Sequence, residues 1–380
     1  MKHSPIRCLN GLLGLFATVA LSAPQPDNVV KLAPFIVTDI KPVVKIAELP
    51  MVEPRFGAAI VAEGDYLYII GGSNSEGTRL DTVERVDLRT GGRASPWAKL
   101  QVARRHHRAI IANGKIYVLG GTSGPVDPLN PLSEELSDYF GDDDPVVVKG
   151  DLPPIARPAT LVSYSYEPSV ELIDLQTGRV NFGPAMPVPK AMFGCVMTDG
   201  KILVIGGQKR KGDTAFCTNT TEIFDVATNT WSAGVNMPTP RRCTATLVDG
   251  FVMVLGGYRG TRPLRTVEVF NPREKVWRRL PDLPHTVNPS ATVWAGHYLF
   301  LFGDQGVHTR QLVYDLRSKQ LVPYPLELPD SDFAAALLHA GKIYLVGGAD
   351  LRRHFTSDGI QIFAPTVETI APLDQATQRK

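Results

Sequence analysis

Positive charge in this chain is gathered into a few short stretches. RRHHR fills residues 104–108 and RR residues 241–242, while QKRKGDTAFC (208–217) and YRGTRPLR (258–265) together carry six basic residues against one acid, Asp213. Arginine in such clusters suits anion binding, because the planar guanidinium pairs with a carboxylate through two parallel hydrogen bonds. The whole chain has 380 residues and a formal net charge of only +2. The basic stretches are therefore local, and no global charge draws the protein to nucleic acid or an acidic membrane. His106 and His107 are adjacent, so on a strand they point to opposite faces and cannot easily share a metal ion. No metal and no cofactor is expected, and the chain has no GxSxG elbow, HExxH pair or phosphate-binding loop.

The elements that must hold these stretches repeat. GKIYVLGG (114–121) returns as GKILVIGG (200–207), GFVMVLGG (250–257) and GKIYLVGG (341–348), with worn copies GDYLYIIGG (64–72) and GHYLFLFGD (296–304). The first glycine of each pair stands at 71, 120, 206, 256, 303 and 347, spaced by 49, 86, 50, 47 and 44 residues. A period of about 45–50 residues reads as one propeller blade per repeat. The 86-residue interval holds an insertion. Each copy offers an apolar strand, a tight turn, a second apolar strand ending on the glycines, and a third strand such as TVERVDL (82–88) or TEIFDV (221–226). A fourth strand carries Trp97, Phe182, Trp231, Trp277 or Leu321, and a Pro-rich link follows. The paired glycines allow backbones to pass where a side chain would clash.

This pattern resembles the kelch repeat over about residues 42–373: Arg near the start of the first strand, the diglycine, Glu with an aromatic in the third strand, and Trp in the fourth. The resemblance implies an all-β fold, a six-bladed kelch-type β-propeller with four-stranded antiparallel blades. Blade three departs with Lys190 for Arg, and blade five with Gly303-Asp304 for the diglycine and Gln311-Leu312 in place of Glu. Glu84, Glu171, Glu222 and Glu268 recur in register, which marks them as structural. His107 falls where kelch repeats often carry a structural His. Two segments compete to close blade six, KPVVKIAELPMVEPR (41–55) and TVETIAPL (366–373), and the C-terminal one is expected to do so.

Lys2 and Arg7 ahead of LNGLLGLFATVALSA (9–23) read as a secretory signal (1–23), with cleavage near Ala20 to Ala23. A Pro-containing leader follows (24–41), in which VVKLAPFIVTD (29–39) resembles the mature start of some TonB-dependent receptors, a hint of a Gram-negative envelope. The expectation is a secreted or periplasmic protein with no membrane span in the mature chain, ending in a short tail (374–380). Cys8 leaves with the signal. Of Cys195, Cys217 and Cys243, two are expected buried on strands and one in a loop.

Propeller function sits on loops around the channel. In kelch proteins the links before the first strand share a face with the loops after the second. That places Arg55, Arg105, Arg241, Arg242, Lys209, Arg210, Arg259, Arg262, Arg310 and Arg352 on one basic face as candidate ligand-binding residues. Its expected partner is an anionic small molecule or an acidic protein segment. The insertion (about 122–167) includes a run, 125–151, with eight acids and one lysine, which suggests a lid or self-shielding flap. Three functions fit: a binding module without chemistry, a sugar mutarotase, or a structural envelope or adhesion module. The second follows from similarity to the exported sialic acid mutarotase family, and no catalytic residue carries over. Arg or His on the links with Asp213 or Asp304 would be its acid–base candidates. A copper oxidase of the galactose oxidase type is disfavoured, since nothing places Tyr, His and Cys ligands together.

Overall fold

The computed structural model describes residues 43–125, 164–211, 214–260, 262–304, 311–324, 331–350 and 355–365. The expected signal and leader, most of the insertion and the tail lie outside the described residues.

Six four-stranded antiparallel sheets form the blades of a β-propeller. Blade one runs Ala59–Glu63, Tyr66–Ile70, Thr82–Asp87 and Ser95–Lys99, and blades two to five repeat that order from Arg108, Gly194, Thr246 and Pro289. The first strands adjoin one another in turn around the axis, and Ala335–His339 of blade six meets Ala59–Glu63 to close the ring. No helix among the described residues is long and apolar enough to cross a membrane.

The second strands show why the repeats are so apolar. Lys115–Leu119, Lys201–Ile205, Phe251–Leu255 and Lys342–Val346 each expose only their first residue and bury the next four. A strand packed by neighbouring blades on both faces needs a continuous apolar run rather than alternation. The core therefore lies between blades: Tyr68, Ile70 and Val83 of blade one meet Ile116, Val118 and Ile173 of blade two. Asn113, Asp199 and Asp249 have φ of 49°, 49° and 48° ahead of a glycine, as the tight hairpin turns require.

Closure differs from the sequence expectation. The N-terminal strand Val43–Pro50 is the outer strand of blade six, pairing antiparallel with Gly359–Pro365 from Val43↔Pro365 to Pro50↔Gly359. That edge would otherwise present unpaired amides and carbonyls, and an N-terminal strand filling it ties the last blade to the start of the chain. TVETIAPL lies outside the described residues. Cys195, Cys217 and Cys243 are all free thiols. Cys195 is half-buried on Gly194–Thr198, Cys217 half-buried on the short strand Thr214–Cys217, and Cys243 buried in a link rather than on a strand.

Candidate anion-binding site at the channel mouth

The link leading into each blade is fixed from two sides. Its first residue gives its carbonyl to the diglycine of the preceding blade: the Gly72, Gly121, Gly207 and Gly257 N–H groups donate to the oxygens of Arg104, Lys190, Arg241 and Val287 at 2.7–3.0 Å. A Cβ on Gly120 would stand 2.6 Å from the Lys190 oxygen, and one on Gly256 would stand 2.2 Å from that of Val287. The diglycine is thus the joint between blades. The side chain of the same lead-in residue turns into its own blade. Arg104 Nη2 pairs with Glu171 Oε1 at 2.6 Å while its Nη1 donates to Gly120 O at 3.1 Å, and Arg241 pairs with Glu268 at 2.5 Å. Arg55 with Glu84 and Lys190 with Glu222 make the same contact. All four cations are fully buried. In blade five the slot holds Val287 against Leu312, both in an apolar cluster.

The next two residues of each link turn to the axis. His106 N donates to Gly57 O, Met192 N to His106 O and Cys243 N to Met192 O, a relay of amides around the mouth. His106, Met192 and Phe333 hold φ of 55°, 53° and 58° to make it. A small opening of about 40 Å³ lies there, lined by every blade, with Gly57, His106, Arg108, Met192, Arg242, Thr244, Ser290 and Phe333 among its walls. His106 is held well below its ordinary value of 6.5, first by burial and then by the guanidiniums of Arg105, Arg108, Arg242 and Arg79. Its imidazole is therefore neutral at physiological pH. Arg242 lies 4.7 Å from the Tyr258 ring centroid with its Nη1 3.4 Å from Met192 Sδ, and Arg105 lies 5.9 Å from the Phe56 ring.

The kelch motif matches residues 54–91, 189–238 and 240–284. The chain is a kelch-repeat β-propeller. It is 25% identical to Kelch-like protein 25 of Xenopus tropicalis over 272 residues, which is 67% of this chain and 45% of that protein. It is 29% identical to human Kelch domain-containing protein 8B over 146 residues, 35% of this chain and 40% of the relative. The chain spans less than half the length of these curated relatives. Among solved structures, that of YjhT superposes with a TM-score of 0.62 at 12% identity, covering 82% of this chain and 94% of YjhT, and shares the fold.

The ten predicted ligand residues of this kelch propeller separate into five pairs. Arg55 and Arg241 are corrected: both are 0% exposed and locked to Glu84 and Glu268, so they hold the blades and cannot meet a ligand. Arg242 of blade four lines the mouth, and the charge of Arg105 on the link into blade two acts on His106 there. Lys209 and Arg210 stand on the hairpin Gln208–Lys211/Thr214–Cys217, where Arg210 stacks 4.4 Å from the Tyr164 ring and donates to Tyr164 O at 3.1 Å. Arg259 and Arg262 face each other across a small exposed hairpin. Arg310 and Arg352 lie outside the described residues, as does Asp213. Three residues escaped selection: His106 and Arg108, which line the mouth, and Arg79, whose charge acts on His106. The first two belong to the RRHHR stretch and could have been found by its offset from Arg104. Nothing in the sequence pattern places Arg79 beside His106.

Proposed function

We propose that this propeller is an exported binding module that takes an anionic ligand at the channel mouth. One observation carries the reading: Arg108 and Arg242 line one opening with the buried, neutral His106. Among the described residues Arg108 donates only through Nε and Nη1, and an anion at the opening can take its remaining donors in charge-assisted hydrogen bonds. The kelch propeller is a scaffold whose loops and channel mouth suit binding. Export rests on the basic start and apolar run of residues 1–23. The test is a titration of the chain with acidic and neutral sugars at low and high salt. Binding of acidic members alone, weakened by salt and lost in Arg242→Gln but kept in Arg259→Ala, is the expected result. Equal binding of neutral analogues, or none of any, would turn the reading to a protein-partner or structural role.

A second reading, isomerisation of an acidic sugar, is favoured by His106. Its Nε2 has no hydrogen-bond partner, and a neutral imidazole at the opening can accept a proton. Faster mutarotation of an acidic sugar, abolished in His106→Gln, would establish it.

A further inference from the structure

Below the rim, one guanidinium stands apart from the rest. Arg108 begins the innermost strand of blade two and lines the opening. Its Nε donates to Phe193 O at 3.1 Å and its Nη1 to His107 O at 3.3 Å. A guanidinium carries five N–H donors, so three remain, and they include both groups of the Nη2 end. No acidic side chain among the described residues lies within ion-pair reach of it. The titratable groups that act on it are the thiols of Cys195 and Cys243, and burial pulls its pKa down. Arg104, four residues earlier, shows what this fold does with a buried arginine that needs only to be structural: it supplies Glu171.

A hydroxyl chain ends at the same opening. Thr246 Oγ1 lies 2.5 Å from Thr292 Oγ1, and Thr292 Oγ1 donates to Thr244 Oγ1 at 3.1 Å. With Thr292 donating, Thr246 supplies the proton of the first contact, which it shares with the Thr292 carbonyl oxygen at 3.3 Å, and Thr244 accepts at the end of the chain. The proton of the Thr244 hydroxyl is then left to donate. Thr244 is 8% exposed and lines the opening with Arg108. Hydroxyls in series polarise one another, which strengthens the terminal donor. Met192, Phe333, Ala58 and Ala334 supply apolar wall around these donors.

We infer that the throat of the channel is a carboxylate subsite, in which the free edge of Arg108 and the hydroxyl of Thr244 receive the two oxygens of a small organic acid. This rests on the anion-binding reading of the mouth and adds the ligand's class and direction: it enters carboxylate first, with its carbon skeleton against Met192 and Phe333. One planar fork and one hydroxyl match a carboxylate. An inorganic phosphate would leave the apolar wall without a partner, and a neutral sugar would leave the guanidinium without one.

Isothermal titration of the full chain with glucuronate, pyruvate, inorganic phosphate and glucose tests it. The carboxylates are expected to bind and glucose not, with phosphate weaker than either acid. Arg108→Gln should weaken carboxylate binding at least about tenfold, a loss on the scale of one charge-assisted hydrogen bond. Arg108→Lys, which keeps the charge without the fork, should lose nearly as much. Thr244→Val, which keeps the shape, should lose several-fold and guards against misfolding of the arginine variants. Carboxylate binding that survives Arg108→Gln and Thr244→Val but disappears in Arg242→Gln would overturn the subsite and leave the rim reading standing. Phosphate binding as tightly as the acids would overturn the carboxylate assignment. Failure of every anion to bind would remove both readings.

Discussion

Arg104 and Arg105 are neighbours in sequence, both buried, and they serve opposite ends. Arg104 turns into its blade, where Glu171 and two carbonyl oxygens, those of Gly120 and Ser169, surround its guanidinium. Arg105 turns to the channel, where with Arg79, Arg108 and Arg242 it presses on His106. The same side chain serves the scaffold when it turns into its blade and serves the channel when it turns to the axis, beside His106. Blade five shows that the first use is a local choice. It gives up cation and carboxylate together, placing Val287 and Leu312 in the slot, and the blade still forms. A buried pair replaced by apolar residues of matching volume is close to neutral, whereas half a pair is not.

That contrast sets the largest expected effect. Glu171→Ala leaves the Arg104 charge buried and removes the acceptor for the Gln101 and Val102 amides. Urea unfolding should show a loss of about 3–5 kcal/mol. A loss under about 1 kcal/mol would mean that the lead-in pairs are incidental to the propeller.

The scaffold half of this comparison was legible in the sequence, and the channel half only in part. Glycine spacing gave six blades because a backbone joint admits no side chain, and the recurring Glu residues stood out as structural because recurrence in register is what packing imposes. The same logic applied to Arg55, Arg104, Lys190 and Arg241, which recur in register as their partners. Placing Arg55 and Arg241 in the ligand set ignored it. Blade five carries the clue, since it loses the lead-in cation and the Glu together at Val287 and Leu312. The mouth residues do not recur: the position before Thr244 and Ser290 is Cys243 in one blade and Pro289 in the next. Their convergence is set by the ring of blades, which no single repeat contains. Closure by Val43–Pro50 was illegible for a related reason. Two similar segments competed for one edge, and only the ring geometry decides between them.

A smaller effect with the opposite sign sharpens the comparison. Arg108→Gln removes a charge that no carboxylate among the described residues offsets, so unfolding free energy should hold or rise by up to about 1 kcal/mol. Stability gained where binding is lost is the mark of a functional residue held at a cost. A loss above about 2 kcal/mol, comparable with that of Glu171→Ala, would place Arg108 with the scaffold.

The smallest effect is a slope. His106 and His107 are both buried and both held well below 6.5, by burial first; His106 then faces Arg105, Arg108, Arg242 and Arg79, and His107 faces Arg104 and Arg108. In the unfolded chain each takes up a proton near pH 6.5, while in the folded protein each stays neutral to lower pH. Their contribution is fully present above pH 6.5 and is lost as pH falls from there toward the folded values. The melting temperature should therefore drop between pH 7 and pH 5, and less steeply in His106→Gln and in His107→Gln. A saturating anion separates the two. At the mouth it offsets the four guanidiniums, lets His106 accept a proton in the folded state and flattens the His106 share of the slope. His107 sits away from the opening, in contact with the joint at Gly71 and Gly121, and keeps its share. With anion present the slope should thus become less sensitive to His106→Gln and remain as sensitive to His107→Gln. If the anion instead leaves the effect of His106→Gln unchanged, the ligand is not bound beside His106, and the anion-binding reading of the mouth falls.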